Sequence, residues 1–431
     1  MLAKKKLNDL FFYEKFLLYI IFLTIISLSS FIFCFLYINK FNYIVDSNLN
    51  IILKNIDFGY GDLIHNIYYN NNYIQKFEGV YFNLLRLPLL PIIISLLAKL
   101  TLNIYIIIIL KNILFSSVFY FFIYRLFHDY NKNLITFILF IFIFLIIPQN
   151  FYVNLSFTFE EGIICWLVSS LFLVLQFKNN TKFIFISILI FLLYLTKSTM
   201  FFLCIFLPFF MIFLEKKNKL ILLTFVFLLL SIFAWGIFGK IKTGRFPFGQ
   251  SITTWNSWII NHALNKEFRN NFPYVSPDNI TIKTAPKDII NEWEYFDFYN
   301  NENKKYLEEN YYYYFSDLGI KMKFIFFNIH KENYKSNAYD DKLNFYKLHI
   351  ISNIVNRIIL ISAIFLFFYN VKKNKFKLNK ITQDLYYIFF ITVIIIPSLI
   401  AWPTTKHLTP IFLISIIYLF FNYFKLTKKF Y

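Results

Sequence analysis

FLLYIIFLTIISLSSFIFCFLYI, residues 16–38, runs for 23 residues without a charge. A helix needs about 20 apolar residues to cross the hydrocarbon core of a bilayer, so this stretch reads as a membrane span. Lys4, Lys5 and Lys6 precede it. The run nonetheless exceeds the core of a signal peptide and lacks a small-residue cleavage site, so it is expected to remain as an anchor.

The rest of the chain follows the same pattern. Of 431 residues, 58% are hydrophobic and only 16% charged, which is too little charged surface for a water-soluble protein of this length. Further apolar runs lie at 88–100, 102–124, 134–147, 163–177, 183–195, 200–214, 220–238, 348–369, 385–401 and 408–424. The run at 88–100 is too short to cross and reads as a juxtamembrane or re-entrant helix; the others give about ten crossings. The expected fold is an all-α polytopic membrane protein. Its expected parts are an N-terminal transmembrane module (1–239) with a first outer loop at 40–86, an extracytoplasmic loop domain at 240–346, and C-terminal transmembrane helices at 347–431. Within the insert, residues 310–333 look most helical.

The formal charge is +19, and its placement gives the orientation. Lysine and arginine gather in alternate turns, at Lys4–Lys6, Arg125 and Lys132, Lys178 and Lys182, Lys216–Lys219, Lys372–Lys380 and Lys425–Lys429. The intervening short turns hold little beyond Lys197 and Lys406. The positive-inside rule then puts both termini in the cytoplasm and leaves loop 40–86, the turn before Glu160 and the insert outside. Short clusters at span ends suit anionic membrane lipids and speak against a nucleic-acid partner. Cys34, Cys165 and Cys204 sit inside apolar runs as core thiols, with no disulfide or metal spacing. Span interiors read as nearly free of charge.

Directly behind the first span comes DFGYGDLIHNIYYNNNYIQKFEGVYFNLLRLPLLP, residues 57–91. On the derived topology it shares one membrane face with two other polar segments. Asp57, Glu160 and Glu161 bring carboxylates to that face. Lys76, Arg86, Lys197, Lys240, Lys242, Arg245, Lys406 and His407 bring cationic or titratable groups. A carboxylate beside an acceptor hydroxyl is what a general base requires, and cations neutralise an anionic leaving group. Together they suit group transfer from a lipid-linked phosphate to a hydroxyl. Each residue also has a plainer role: Asp57 as a solvated or capping residue, Glu160 and Glu161 as favourable charges at a helix start, Lys197 as a turn marker, and Lys76 and Arg86 as interfacial anchors.

The order of these elements resembles the GT-C class of membrane glycosyltransferases, closest to the protein O-mannosyltransferase and aminoarabinose transferase branch. The residues that carry the resemblance are Asp57 in the first outer loop, Tyr60, the turn 70–73, RLPLLP at 86–91, SFTFEEG at 156–162, YLTKST at 194–199 and TKHLTP at 405–410. AWGIFGKIKTGRF at 234–246 departs from the pattern, because Phe238 and Gly239 stand where the family has Arg and Asn. Any charge there must come from Lys240, Lys242 or Arg245. The resemblance implies inverting transfer from a polyprenyl-phosphate sugar donor to a glycan, lipid or protein acceptor, with Asp57 as base and Glu160 or Glu161 as the second acidic site. Lys76, Arg86, Lys197, Lys240, Arg245, Lys406 and His407 are the candidates for the donor phosphate. It also implies a site on the extracytoplasmic side of a bacterial inner (plasma) membrane. Some relatives hold a divalent metal between two such carboxylates and others do not, which leaves the cofactor open.

Two rivals stand beside this reading. A polymerase or ligase of lipid-linked oligosaccharides would lean on Arg245 and His407 rather than Asp57. A transporter or flippase would want ionisable residues inside its spans and paired half-repeats.

Overall fold

Long uncharged runs leave every backbone amide to be satisfied within its own segment, and the chain answers with helices. The computed structural model describes residues 2–35, 60–77, 79–129, 134–155, 160–215, 218–254, 286, 288–327, 345–400 and 405–427. Asp57 and the rest of 36–59 lie outside the described residues.

The order is α1 (Leu2–Phe33), α2 (Tyr60–Asn70), a hairpin of β1 (Gln75–Phe77) and β2 (Val80–Phe82), α3 (Leu89–Leu100), α4 (Ile104–Asp129), α5 (Leu134–Ile146), α6 (Pro148–Leu155), α7 (Glu160–Val174) and α8 (Lys182–Tyr194). A 3-10 turn at Ser198–Met200 leads into α9 (Phe201–Glu215) and α10 (Asn218–Thr243). After the insert come α11 (Glu292–Phe327), α12 (Phe345–Lys373), α13 (Leu378–Ile400) and α14 (Thr405–Thr427). Each apolar run in the sequence coincides with a helix.

Among the described residues six segments are long and apolar enough to cross a membrane: Phe16–Phe33, Ile104–Phe127, Ser198–Glu215, Lys219–Thr243, Ile351–Lys373 and Lys380–Leu399. In four of them only 33% of the residues are buried against protein. The remaining apolar side chains, Leu17, Phe209 and Phe365 among them, are exposed and need lipid as their solvent. The molecule is an all-α integral membrane protein. Leu89–Leu100, Leu134–Ile146, Lys182–Tyr194 and His407–Asn422 are apolar but shorter.

The bundle is built around α7, whose fifteen residues are all buried. It packs against α4, α6, α8 and α14, with Trp166 against Phe119 (ring centroids 5.1 Å) and Phe172 against Phe390 (5.7 Å). The crossing with α6 is close. A Cβ on Gly162 would lie 2.7 Å from the Asn154 carbonyl oxygen, so only glycine lets α7 start there.

One end of the bundle carries a polar layer. The two strands pair antiparallel with Lys76 opposite Tyr81, and Phe82 packs on Tyr295 of α11 (5.2 Å). The carboxylate of Glu292 accepts hydrogen bonds from the backbone N–H groups of Asn83 and Leu84, each at 3.0 Å, and from the Ser251 hydroxyl at 3.2 Å. Helix α10 ends at Gly244, whose φ of +80° reverses the chain. The returning segment is held by Trp235 Nε1 donating to the Gly249 carbonyl (2.9 Å) and by Tyr194 donating to that of Phe248 (2.6 Å). The glycines at this turn therefore serve contact with protein: Gly236 faces the ring of Phe246 and Gly239 faces Pro247. The helix in the insert begins earlier than the pattern at 310–333 suggested, at Glu292, with a break in its dihedrals at Asn310.

Candidate functional site

Helix α7 opens with Glu160 and Glu161, both in its first turn, where the helix dipole favours negative charge. Both are buried, at 2% and 3% exposure. Buried carboxylates need partners, and three other segments of chain supply them, with a fourth packed alongside. Tyr60, the first residue of α2, donates its hydroxyl hydrogen bond to Glu160. Lys197 binds Glu161 directly and reaches Glu160 at 3.4 Å. His407, in the first turn of α14, places Nε2 3.1 Å from the same Glu161 oxygen that Lys197 holds. The guanidinium of Arg86 lies over the ring of Tyr60 at 4.9 Å, and the Tyr73 hydroxyl donates to the Arg86 carbonyl at 2.9 Å.

Local structure explains the aim of each side chain. Lys197 is extended (φ −157°, ψ 137°) and separates α8 from the 3-10 turn, while the Leu89 amide donates to the Leu195 carbonyl at 3.0 Å and so ties the Arg86 loop to it. Asn71 adopts a left-handed φ of +49° after α2. The Asn66 side chain caps the return by donating to the Ile74 carbonyl at 2.7 Å.

Electrostatics follow from this packing. Burial first, then the Glu160 charge, pushes the Tyr60 phenol well above its usual range, with Arg86 opposing. Tyr60 therefore stays a protonated donor at any physiological pH. Tyr73 is raised for the same reasons. Burial pulls the Lys197 ammonium down, but Glu161 and Glu160 together outweigh it and hold it above the ordinary lysine value. A narrow cleft opens beside the cluster, lined by Glu161, Lys197, Thr199, Ser398, His407 and Pro410, with about 10 Å³ of free space, room for one water.

The structure thus brings Arg86, Glu160, Glu161, Lys197 and His407 together. It does not bring in the others that it describes. Lys76 lies over the Tyr81 ring on the hairpin (5.6 Å). Lys240 and Lys242 are exposed on the last turn of α10. Arg245 pairs with Asp297 at 2.8 Å and covers Trp293. Lys406 begins α14, but its side chain lies outside the described residues, as does Asp57. The described donors do not fit a divalent metal between Glu160 and Glu161, because the Lys197 ammonium already bridges their oxygens. Among the described residues no three His, Cys, Asp or Glu side chains come together as a metal site.

The expectation of uncharged span interiors is corrected. Lys111, in a candidate span, is 1% exposed, and Arg357, in another, is 4% exposed. The apolar averages of their runs masked both, although a lysine inside IYIIIILKNILF and an arginine after Asn356 were visible signals. Around them lies a buried polar seam. Asn112 donates to Ser30 (2.9 Å), and Asn150 and Asn356 exchange amide hydrogen bonds (3.0 and 3.1 Å). In the sequence Tyr60 and Tyr73 stand only as parts of a pattern, and their bonds to Glu160 and to the Arg86 carbonyl cannot be read from spacing.

Comparison with protein-family models, curated proteins and solved structures finds no match to this chain.

Proposed function

We propose that this membrane protein is a glycosyltransferase of the GT-C type, moving a sugar from a polyprenyl-phosphate donor to an extracytoplasmic hydroxyl. One observation carries the reading: two buried carboxylates meet Lys197 and His407 at one end of the bundle, with Arg86 over the Tyr60 ring beside them, drawn from segments more than three hundred residues apart. In the reaction the acceptor oxygen attacks the anomeric carbon from the face opposite the phosphate. The carbon–oxygen bond to the phosphate breaks, and polyprenyl phosphate leaves with the bonding pair. The acceptor proton passes to a carboxylate, assigned to Asp57, with Glu160 and Glu161 holding the cations in place. Lys197, Arg86 and His407 meet the phosphate charge as it develops. The lysine-poor end of the bundle, where the cluster sits, is read as extracytoplasmic.

The test is transfer from a fluorescent polyprenyl-phosphate sugar by protein in proteoliposomes. Asp57→Asn is expected to abolish transfer while membrane insertion stays normal, and full activity in Asp57→Asn would end the assignment of the base. Full activity in Asp57→Asn, Glu160→Gln and Glu161→Gln alike would end the transferase reading. A transporter or flippase is the second reading, and the buried Lys111 and Arg357 are the observation in its favour.

A further inference from the structure

The other end of the bundle holds a cavity with the opposite character. Helices α7 and α8 run antiparallel, so the turn joining them lies a helix length away from Glu160 and Lys197. There a cavity of about 390 Å³ opens between this turn and the ends of α9 and α13. Lys178, Lys182 and Lys380 line it, with Gln176, Thr382 and Gln383. Among the described residues one carboxylate lies in the wall, Glu215, and it is already engaged: Lys182 binds it at 2.6 Å and the Tyr386 hydroxyl donates to it at 2.9 Å. Lys178 and Lys380 are exposed, so two ammonium groups face the opening over a neutralised floor. Arg125 adds a third cation beside the rim, over the ring of Phe177 at 5.2 Å.

We infer that this cavity binds a phosphate group. Its lining offers ammonium, amide and hydroxyl donors in excess of acceptors, the pattern that a multiply accepting anion needs. It also sits near the N-terminal ends of α8 and α13, whose dipoles add positive potential. Its size lies within the range of ligand sites. Phe213 and Phe376, close in sequence to the lining residues Glu215 and Lys380, are 65% and 74% exposed, which suits a mouth near lipid headgroups, so the phosphate can belong to an anionic phospholipid or arrive free in solution.

The experiment uses the full-length protein in neutral detergent, titrated with phosphatidylglycerol, with phosphatidylcholine and with inorganic phosphate, and reads bound adducts by native mass spectrometry. Wild type should retain phosphatidylglycerol over phosphatidylcholine, or bind inorganic phosphate. Competition of millimolar phosphate against the lipid distinguishes a headgroup from a free phosphate. Lys178→Gln with Lys380→Gln should weaken the preferred adduct roughly thirtyfold, the factor two lysines contribute at an anionic surface. Lys178→Arg with Lys380→Arg should preserve it. A charge-matched control, Lys428→Gln with Lys429→Gln, should leave it unchanged. Equal retention of both lipids with no phosphate adduct overturns the inference. So does undiminished binding in the Lys178 and Lys380 double variant, or an equal loss in the control.

Discussion

Lys197→Met is the sharpest perturbation of the candidate site. It removes the cation that reaches both Glu160 and Glu161 and leaves two adjacent carboxylates at 2% and 3% exposure. Breaking a buried pair by deleting one partner costs about 3–5 kcal/mol, since the surviving charge stays desolvated. His407 and Tyr60 each still hold one oxygen, which puts the expected loss near the lower end, about 3 kcal/mol. Unfolding entropy of roughly 2 cal/mol/K per residue makes this a fall in Tm of about 3–4 °C for a chain of this length, and more where helices persist in the detergent-unfolded state. Intrinsic tryptophan fluorescence during heating reads it out.

The charge argument is separated from simple packing by the double variant. Glu161→Gln with Lys197→Met removes one stranded charge and should recover about 2 kcal/mol, which a double-mutant cycle registers as coupling. The same pairing sets a pH dependence in wild type. Lys197 is held above its ordinary value, so its contribution is fully present below the unfolded lysine value near 10.4 and is lost as pH rises through the folded one. Additive effects of the two substitutions within about 0.5 kcal/mol, with a wild-type stability that does not fall at high pH, would refute the reasoning.

Other outcomes follow from the same contacts. Tyr60→Phe deletes the donor to a buried carboxylate and should lower stability by about 1–3 kcal/mol in denaturant titration, with the Arg86 contact to the ring retained. Gly162→Ala drives a Cβ to 2.7 Å from the Asn154 carbonyl and should lower Tm, whereas Gly319→Ala, exposed on α11 with open space around it, should be neutral or stabilise by about 0.5–1 kcal/mol. Burial raises the Glu292 carboxyl above its ordinary 4.5 despite the hydrogen bonds from Asn83, Leu84 and Ser251. Its folded form therefore holds a proton longer than the unfolded chain, and stability should fall as pH rises from 4.5 through the raised value. Glu292→Gln should flatten that slope in Tm measured from pH 4 to 7.

The helices were legible because a bilayer imposes one requirement on every crossing, and runs such as 102–124 and 348–369 meet it without regard to their neighbours. Convergence of Arg86, Glu160, Glu161, Lys197 and His407 was legible from topology, since alternate turns share a face. Their pairing was not. Which carboxylate takes Lys197, and that Tyr60 closes the cluster, depend on how α7 seats against α6 and α8, and that is decided by contacts such as Gly162 on Asn154. The clamp of Glu292 on residues 83–84 joins segments more than two hundred residues apart, and no local pattern marks it. Arg245 shows the converse: motif order assigned it to the donor, while Asp297 lay 52 residues further on to take its charge.

Lys111 and Arg357 bear most on the choice between transferase and transporter. A buried cation in a candidate span costs stability and persists where the seam around it is polar. Here the seam runs through α6. Asn150 binds Asn356 beside Arg357, Asn112 beside Lys111 donates to the Leu155 carbonyl at 3.4 Å, and the Asn154 carbonyl abuts Gly162 one residue past Glu161. Helix α6 thus binds the neighbours of both buried basic residues and abuts the start of α7, and uncharged spans are no longer an argument against transport. Sidedness of supply decides instead. In proteoliposomes given donor only on the cluster side, a transferase turns over without moving lipid across the bilayer, and Lys111→Met then acts on transfer directly. A flippase shows no transfer in that arrangement, and the same substitution slows translocation of a labelled polyprenyl phosphate from the opposite leaflet.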